Sequence, residues 1–360
     1  MSQSVISQPS PTTAKSTIEL ADLVLDRADI EAVWRRCFGD HHGRFDKYLT
    51  NPCGEGMIWV YRPEGDSIHG AFGLQTQRLS LGGEVHSVGQ IGNLAVDKKY
   101  RSAGPAVRMQ RALLGSLDES SRTLIFGVTE DAVALLRRTG CKPVGASQRW
   151  VKILKSESQL RKRLRPAMLA KVAAPIVDAG LRLSSQETYS RRSAGVTMGF
   201  GDSFDDRFDR LWDRVRSQFP IATQRTSEYL NWRFHGGNES FQTFWMADGQ
   251  GELIGYIVFE ILANASIEVA DVMFDGIAAL DCLLGEFLCH LRKHESRPTA
   301  ITWVYFGMDL VAERLQRFGF KSRPERSQTF VYGDAETLRD AEPELFDVQR
   351  WYLSGADLDL

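Results

Sequence analysis

The spacing of apolar residues predicts alternating strands and helices over the first 155 residues. Extended apolar runs at 56–61, 69–78 and 84–96 predict three successive strands of an antiparallel meander. Apolar residues then recur at three- and four-residue steps, which predicts a helix with one buried face; they are Ala106, Met109, Leu113 and Leu117. A buried strand at 123–128, a short helix and a return strand follow. The pattern predicts an α/β (α+β) fold, with a mixed, mostly antiparallel sheet flanked by helices.

A fainter copy of this pattern occupies the second half of the chain. The sequence around Gly70 is similar to that around Gly255, and the sequence around Gly140 is similar to that around Gly319. The paired glycines are 70 positions apart in the first half and 64 in the second. The shorter spacing falls where residues 100–105 would have their counterpart. A duplicated fold and two unrelated segments with a common strand–helix rhythm both remain open, and the matching order favours duplication.

These patterns predict four parts of the chain. Residues 1–17 are rich in Ser, Thr, Gln and Pro and are expected to form a disordered tail. Residues 18–155 form the first domain, 156–195 a linker, and 196–360 the second domain. The linker is basic at 161–165 and then largely apolar, with Pro166 and Pro175 expected to cap or kink its helices. Two interpretations stay open: helices packed between the domains, or a segment whose cations meet anionic lipid.

The junction between the strand at 84–96 and the following helix has the chemistry of a pyrophosphate cradle. Gly104 lets backbone amides approach an anion, and the helix that follows adds partial positive charge at its N-terminus. Lys98, Lys99 and Arg101 supply full positive charges beside it. A solvated basic turn in an ordinary strand–turn–helix has the same composition, so the loop alone leaves both interpretations open.

This loop resembles the acetyl-CoA loop of the GNAT superfamily of N-acyltransferases, whose pattern is Gln/Arg-x-x-Gly-x-Gly/Ala. Arg101, Gly104 and Ala106 occupy its three fixed positions. The order of elements over 18–152 is also similar to that family. The resemblance implies tandem GNAT-like folds, the second without its phosphate loop, and acetyl-CoA or another acyl-CoA as co-substrate. It implies two sets of CoA contacts: Leu94, Ala95 and Val96 along the pantetheine arm, and Arg101, Ser102, Ala103, Gly104, Pro105 and Ala106 around the pyrophosphate.

The resemblance also implies direct attack of an amine on the thioester. Many members have a tyrosine as general acid where this chain has Leu136, and Pro105 removes one amide donor from the loop. For the base, the strand offers three candidate catalytic residues that alternation places on one face: Glu84, His86 and Gln90. His86 has a near-neutral intrinsic pKa and needs little tuning to accept a proton.

Composition excludes several classes of protein. With 44 Lys and Arg against 46 Asp and Glu, the formal net charge of −2 argues against a nucleic-acid binder. The five cysteines include no Cys-x-x-Cys pair, which is typical of reduced thiols in a cytosolic protein. His41 and His42 have no Cys or carboxylate at ligand spacing, so no metal is expected. No apolar run is long enough to span a bilayer. We expect a cytoplasmic protein.

Two functions of different class follow. Segments 225–234 and 351–359 resemble GNAT-like proteins that occur with bacterial exopolysaccharide and cell-envelope genes. The first function is therefore an acyl-CoA-dependent N-acyltransferase acting on a small-molecule or glycan amine, such as an amino sugar or a precursor of an envelope polysaccharide. The alternative is a non-catalytic GNAT-like acyl-CoA-binding or scaffold protein in polysaccharide assembly. Peripheral contact with the inner face of the membrane and the oligomeric state are left open.

Overall fold

The computed structural model describes residues 16–39, 44–63, 65, 67–116, 124–164, 167–189, 195–235, 240–293, 298–333 and 343–357. The predictions for residues 1–15 and for His41, His42, Leu117, Arg165 and Pro166 lie outside these ranges.

The first half follows the predicted order of elements. In chain order they are β1 (Thr17–Leu20), α1 (Arg27–Phe38), α2 (Asp46–Leu49), β2 (Met57–Arg62), β3 (Gly70–Leu81), β4 (Glu84–Val96), α3 (Pro105–Gly115), β5 (Leu124–Thr129), α4 (Val133–Arg138), β6 (Lys142–Ala146) and β7 (Gln148–Ile153). Strands β2, β3 and β4 form the predicted antiparallel meander.

Two linker helices and a second series of elements follow. They are α5 (Glu157–Arg163), α6 (Ala167–Leu183), β8 (Thr197–Gly201), α7 (Asp206–Val215), β9 (Ile221–Thr223), α8 (Ser227–His235), β10 (Phe241–Ala247), β11 (Leu253–Ile261), β12 (Ile267–Phe274), α9 (Gly276–Lys293), β13 (Ala300–Gly307), α10 (Asp309–Arg317), β14 (Lys321–Arg323), β15 (Gln328–Gly333) and β16 (Trp351–Leu353). Helix α6 continues through Pro175. From β8 onward the order of strands and helices repeats that of the first half, except that β9 and β16 have no counterpart there.

All strands of the described residues belong to one mixed sheet. Its path is β6-β15-β5-β4-β3-β9-β16-β13-β12-β11-β10-β8, with β1, β2, β7 and β14 attached beside it. Most neighbours are antiparallel, while β4–β5, β12–β13 and β9–β16 are parallel. The strands of the first two pairs are each connected through a helix. The predicted fold class, a mixed and mostly antiparallel sheet flanked by helices, is confirmed.

The two halves exchange one strand each, β7 and β15. Strand β15 lies between β5 and β6 of the first half and pairs with both. Conversely, β7 lies between β13 and β14 of the second half. Each half therefore completes its sheet with a strand from the other half, and the predicted boundary near residue 155 does not separate two sheets.

The exchanged strands carry buried aromatic side chains into the opposite core. Phe330 of β15 packs with Met109 and Leu113 of α3, the helix face predicted from periodicity. Trp150 of β7 is 1% exposed within the core of the second half. Full burial of such a side chain contributes about 1.5–3 kcal/mol. The exchange therefore holds the halves together through their hydrophobic cores.

Candidate functional site

Strands β4 and β5 diverge and open a cleft in the first half. Their parallel pairing covers only Val88–Gln90 against Leu124–Phe126, although both strands continue to Val96 and Thr129. On its other edge, β4 has a bulge opposite β3, where the register shifts between Ala71 and Gly73. Bulges re-aim the backbone and are common beside active sites. Beyond Gln90, the backbone edge of 91–96, which includes Leu94, Ala95 and Val96, has no ladder pairing with β5.

A basic loop closes the end of this cleft. After Val96, residues Lys98–Ala103 form a 3₁₀ turn, and Gly104 has a φ of +74° directly before α3. A Cβ at Gly104 would meet no described atom within 4 Å, so this backbone faces open space. Arg101 is exposed, and its Nε donates to the carbonyl oxygen of Val96 at 3.0 Å. The geometry suits an anion at the N-terminus of α3.

Pro105 does not disturb this loop. It occupies the first position of α3, where its missing N–H has no intrahelical partner to lose. The amide of Arg108 donates to the carbonyl oxygen of Gly104 at 3.2 Å and so begins the helical ladder. The side chains of Ser102 and Ala103 lie outside the described parts, and only their backbone in the turn is known.

Asp97 anchors the basic loop to the rest of the first half. The guanidinium of Arg36 on α1 binds both carboxylate oxygens at 2.9 Å, and Nδ1 of His69 lies 2.7 Å from Oδ2. Burial alone would raise the pKa of Asp97, but the hydrogen bonds from Arg36 and His69 hold that pKa below its usual value. The carboxylate thus stays charged and fixes the point where β4 turns into the loop.

Asn93 lies in the bulge of β4 in a left-handed conformation, with a φ of +55°. Three side chains bind its polar groups: the indole of Trp34 donates to its carbonyl oxygen at 3.0 Å, Arg44 donates to its Oδ1 at 2.8 Å, and its amide donates to the hydroxyl of Tyr48 at 2.9 Å. A non-glycine residue at positive φ is a strained conformation that the surroundings must impose. Helices α1 and α2 and their connection therefore set the shape of the bulge.

The corresponding cleft of the second half is filled by the chain itself. Strands β12 and β13 pair only at Ile267–Val269 and Ile301–Trp303 and then diverge. Strand β16 pairs along the end of β13, and the hydroxyl of Tyr352 donates to the carbonyl oxygen of Val272 on β12. A Cβ at Gly355 would lie 2.9 Å from the carbonyl oxygen of Ala270. Residues 352–357 thus occupy the space between β12 and β13.

A buried cluster of charges holds this C-terminal segment in place. Arg225 is fully buried, and its guanidinium binds Asp271 at 3.0 Å and Asp357 at 2.6 Å. Tyr256 donates a further hydrogen bond to Asp271. Burial raises the pKa of Asp271, although Arg225 opposes that rise. A single buried cation thus links the strand β12 to the segment that fills the cleft.

The halves also meet at Lys47 of α2. Its Nζ donates to the carbonyl oxygen of Arg233 on α8 at 3.0 Å and lies 6.0 Å from the centre of the Trp232 ring. Burial, and then the charges of Arg233 and Arg44, lower the pKa of Lys47 to about 7. Trp232 is 8% exposed within the core of the second half, so the aromatic residues of 225–234 pack the interior.

The three candidate bases lie away from the basic loop. Glu84 and His86 lie next to the β3–β4 turn, where Glu84 is exposed and His86 half-buried. At about 3.3 Å of rise per residue, they are about 30 Å and 23 Å along the strand from Asn93. Gln90 lies where β4 and β5 part, with its amide bound to Gln77 and to the carbonyl oxygen of Asp357. Their catalytic roles stay predictions, and this placement counts against Glu84 and His86.

Sequence patterns missed the residues around Asn93. Trp34, Arg44 and Tyr48 come from segments without a local motif, and their contacts with β4 span 45 to 59 positions. A signal was present in Asn93 itself, because asparagine tolerates the left-handed region better than most residues. Leu136, at the position of the expected acid, is 1% exposed in the core. Within the described residues, no group of three or more His, Cys, Asp or Glu could hold a metal ion.

This geometry agrees with a comparison against family models. Residues 26–144 match the acetyltransferase (GNAT) domain. The match covers the cleft, Asn93 with its three partners and the basic loop, while β7 and the second half lie outside it. The GNAT domain is thus assigned on the half whose cleft is not filled by residues 352–357. No curated protein sequence matches the chain significantly.

Solved structures share the fold over nearly the whole chain. A probable N-acyltransferase from Enterococcus faecalis V583 has a TM-score of 0.62 at 12% identity, over 92% of this chain and 74% of that one. A GCN5-related N-acetyltransferase from Anabaena variabilis has a TM-score of 0.64 at 14% identity, over 90% of this chain and 75% of that one. N-myristoyltransferase of Saccharomyces cerevisiae, with bound myristoyl-CoA, has a TM-score of 0.57 at 12% identity, over 91% of this chain and 85% of that one. At such identities the likeness establishes a GNAT-like fold.

Proposed function

We propose that the protein is an acyl-CoA-dependent N-acyltransferase that uses the cleft of the first half. The observation that carries the proposal is the cleft between β4 and β5, which ends at an exposed basic loop with Gly104 facing open space. The match of 26–144 to the GNAT domain and the bound myristoyl-CoA of one structural relative support acyl-CoA as the co-substrate. Acetyl-CoA is the proposed donor.

Binding would use backbone and charge together. The pantetheine arm would pair with the backbone of Leu94, Ala95 and Val96, whose edge β5 leaves uncovered. The pyrophosphate would bind at the turn of Arg101–Ala106, where the helix N-terminus and the exposed cations favour negative charge. Lys98 and Lys99 are also exposed there. The proposal gives Gly104 the role of admitting a phosphate oxygen close to the backbone.

The chemistry would be direct attack of an amine on the thioester. The nitrogen forms a bond to the acyl carbon, the carbon–sulfur bond breaks, CoA leaves as the thiolate, and the ammonium proton passes to water. We assign Asn93 a positioning role, because its contacts with Trp34, Arg44 and Tyr48 fix the bulge from which a backbone amide could polarise the carbonyl. We give Glu84 and His86 no part in this step because of their distance along β4.

We propose an amine of an amino sugar or of an envelope-polysaccharide precursor as the acceptor, and the cytoplasm as the place of reaction. The support is the resemblance of segments 225–234 and 351–359 to proteins of that context. Their aromatic residues pack the core, with Tyr229 1% and Trp351 0% exposed, so they mark relatedness rather than contact with the acceptor.

Calorimetric titration with acetyl-CoA and with longer acyl-CoAs tests the donor, and mass spectrometry of an amine and amino-sugar library tests the acceptor. We expect one binding site per chain and an acylated amine. Tyr48→Phe, which removes the hydroxyl next to Asn93, should lower kcat more than it changes the KM for acyl-CoA. Two equivalent sites per chain, or no binding of any CoA, would refute the proposal.

A second function has one observation in its favour. Leu136 is buried in the core where many GNAT enzymes have their acid, so this position cannot protonate the leaving thiolate. This favours a non-catalytic acyl-CoA-binding or scaffold protein in polysaccharide assembly. The same experiment separates the two functions: tight CoA binding without any acylated product would support the second.

A further inference from the structure

Helix α6 presents an apolar side to solvent. Four of its large apolar side chains are more than half exposed: Met168 at 75%, Val172 at 66%, Ile176 at 74% and Leu183 at 61%. At 100° per residue, these positions and the exposed Ala179 fall within an arc of about 100°. One side of the helix is therefore a continuous apolar stripe, which we name the α6 stripe and define as Met168, Val172, Ile176, Ala179 and Leu183.

The opposite side of α6 is already packed. Ala170 and Ala174 are 0% and 5% exposed, and the hydroxyl of Ser156 donates to the carbonyl oxygen of Ala174 at 3.3 Å. The carboxylate of Asp178 accepts a hydrogen bond from the amide of Ser156 at 2.7 Å. The helix is thus fixed to the protein through its small residues, and the orientation of the α6 stripe is set by that contact.

Positive charge borders the α6 stripe. Lys171 and Arg182 are exposed and lie on the same flank of the helix, three turns apart. Arg163 at the end of α5 is exposed as well, whereas Arg161 pairs with Glu157 at 2.6 Å. Asp178, the acid within 167–183, is turned toward Ser156. The surroundings of the stripe thus favour an apolar partner with a negative boundary.

We propose that the α6 stripe is a membrane-docking surface for an anionic bilayer, with α6 lying in the plane of the interface. An anionic bilayer offers an apolar interior bordered by negative head groups, the arrangement that matches this helix. With 17 residues, α6 is about 25 Å long, and among the described residues no helix has the length and apolarity to cross a membrane. A helix that lies in the plane of the interface needs neither that length nor that apolarity.

A second copy of the chain fits the stripe less well. A two-fold contact would place the α6 of one copy on the α6 of the other, and the same flank of each helix carries Lys171 and Arg182. Like charges brought together at an interface oppose association. The bilayer is thus the partner favoured by charge, and this inference does not depend on the proposed acyl transfer.

Co-sedimentation of the full-length chain with vesicles tests the proposal. Wild-type protein should sediment with vesicles of phosphatidylglycerol and phosphatidylcholine at low ionic strength, and not with phosphatidylcholine alone. The double variant Val172→Glu, Ile176→Glu should lose on the order of 100-fold in partitioning. Lys171→Gln with Arg182→Gln should lose about 25-fold, since each cation near an anionic surface contributes about five-fold.

A matched control comes from the loop before α1. Val24 and Leu25 are each 81% exposed, so Val24→Glu with Leu25→Glu changes two exposed apolar residues away from α6 and should leave partitioning unchanged. Thermal melts should coincide for all variants, because the changed side chains are exposed. The proposal fails if wild-type protein ignores anionic vesicles, or if the Val172, Ile176 variant binds as tightly as wild type. It also fails if that variant instead turns a dimer into a monomer in sedimentation velocity.

Discussion

The cleft between β4 and β5 and the cleft between β12 and β13 begin alike and end differently. In both, three residue pairs of a parallel ladder give way to diverging strands, and a glycine at positive φ leads into the next helix. In the first half, the following loop is basic and the edge of β4 beyond Gln90 is not paired with β5. In the second half, Ser354–Asp357 and their neighbours fill the gap. Whether a cleft can take a ligand is thus decided here by a distant segment of chain.

The loops differ in charge as well. Gly104 follows exposed cations, including Arg101, whereas Gly276 follows Asp275, whose carboxylate binds Arg214 at 2.6 Å. A carboxylate at the start of α9 stabilises the helix N-terminus from within and repels a phosphate. In the second half, a carboxylate of the chain itself therefore balances the partial positive charge at the N-terminus of α9. In the first half, a bound anion would do so at the N-terminus of α3.

The largest effect is expected when the halves are separated. A fragment of residues 1–155 lacks β15, so β5 and β6 lose the strand between them, and β7 loses both of its partners. We expect it to aggregate or to melt without cooperativity, as judged by size-exclusion chromatography and circular dichroism. A fragment in which 328–333 replaces 148–153 should be more soluble. If the plain fragment melts cooperatively, the exchanged strands do not hold the halves together.

The next largest effect is expected at the charge cluster that holds the C-terminal segment. Arg225→Met leaves Asp271 and Asp357 buried without their cation, so we expect a loss of about 3–5 kcal/mol in the free energy of unfolding by urea. The loss should shrink at acidic pH, because burial raises the pKa of Asp271 and its protonation removes the unpaired charge. Arg210→Met is the control: Arg210 pairs with Asp206 and Glu252 at the surface, and its loss should change the free energy of unfolding much less. If both variants lose the same free energy of unfolding, the buried cluster contributes no more to stability than a surface ion pair.

A matched pair of glycine variants compares the two loops directly. Gly104 and Gly276 have φ values of +74° and +80°, and a Cβ at either would meet no described atom within 4 Å. Valine at either position should cost about 1–2 kcal/mol of stability through backbone strain. We expect Gly104→Val to lower CoA affinity about 100-fold in calorimetry and Gly276→Val to leave it unchanged. A similar loss from both would assign the effect to strain rather than to the cradle.

The smallest effect concerns Lys47, where the halves touch. Its pKa falls from 10.5 to about 7 on folding, so the folded state binds fewer protons than the unfolded state between these values. The penalty for charged Lys47 is complete below pH 7 and disappears as pH rises toward 10.5. Lys47→Met should therefore stabilise the protein more at pH 6 than at pH 10, with exposed Lys98→Met as control. A gain that is the same at both pH values would contradict the lowered pKa.

Local patterns predicted the elements that depend on neighbouring residues. The bounds of β4 were predicted to the residue, because a glycine pair precedes Glu84 and the basic turn follows Val96. The buried face of α3 followed from the spacing of Met109 and Leu113. The partners of β7 and β15 could not be predicted in the same way, because a strand has the same alternation in either sheet. Likewise, the contacts of Tyr48 and Arg44 with Asn93 depend on packing between distant segments.

The exchange of β7 and β15 also delays the pairing of strands while the chain is being synthesised. Strand β5 ends at Thr129, and its neighbour β15 begins at Gln328, so about two hundred residues must be made between them. At roughly 5–20 residues per second, that interval is on the order of 10 to 40 seconds. During this time the nascent chain holds unpaired strand edges at β5, β6 and β7, the kind of surface that attracts chaperones. A protein that needs β15 to join β5 and β6 thus spends much of its synthesis exposed to misassembly.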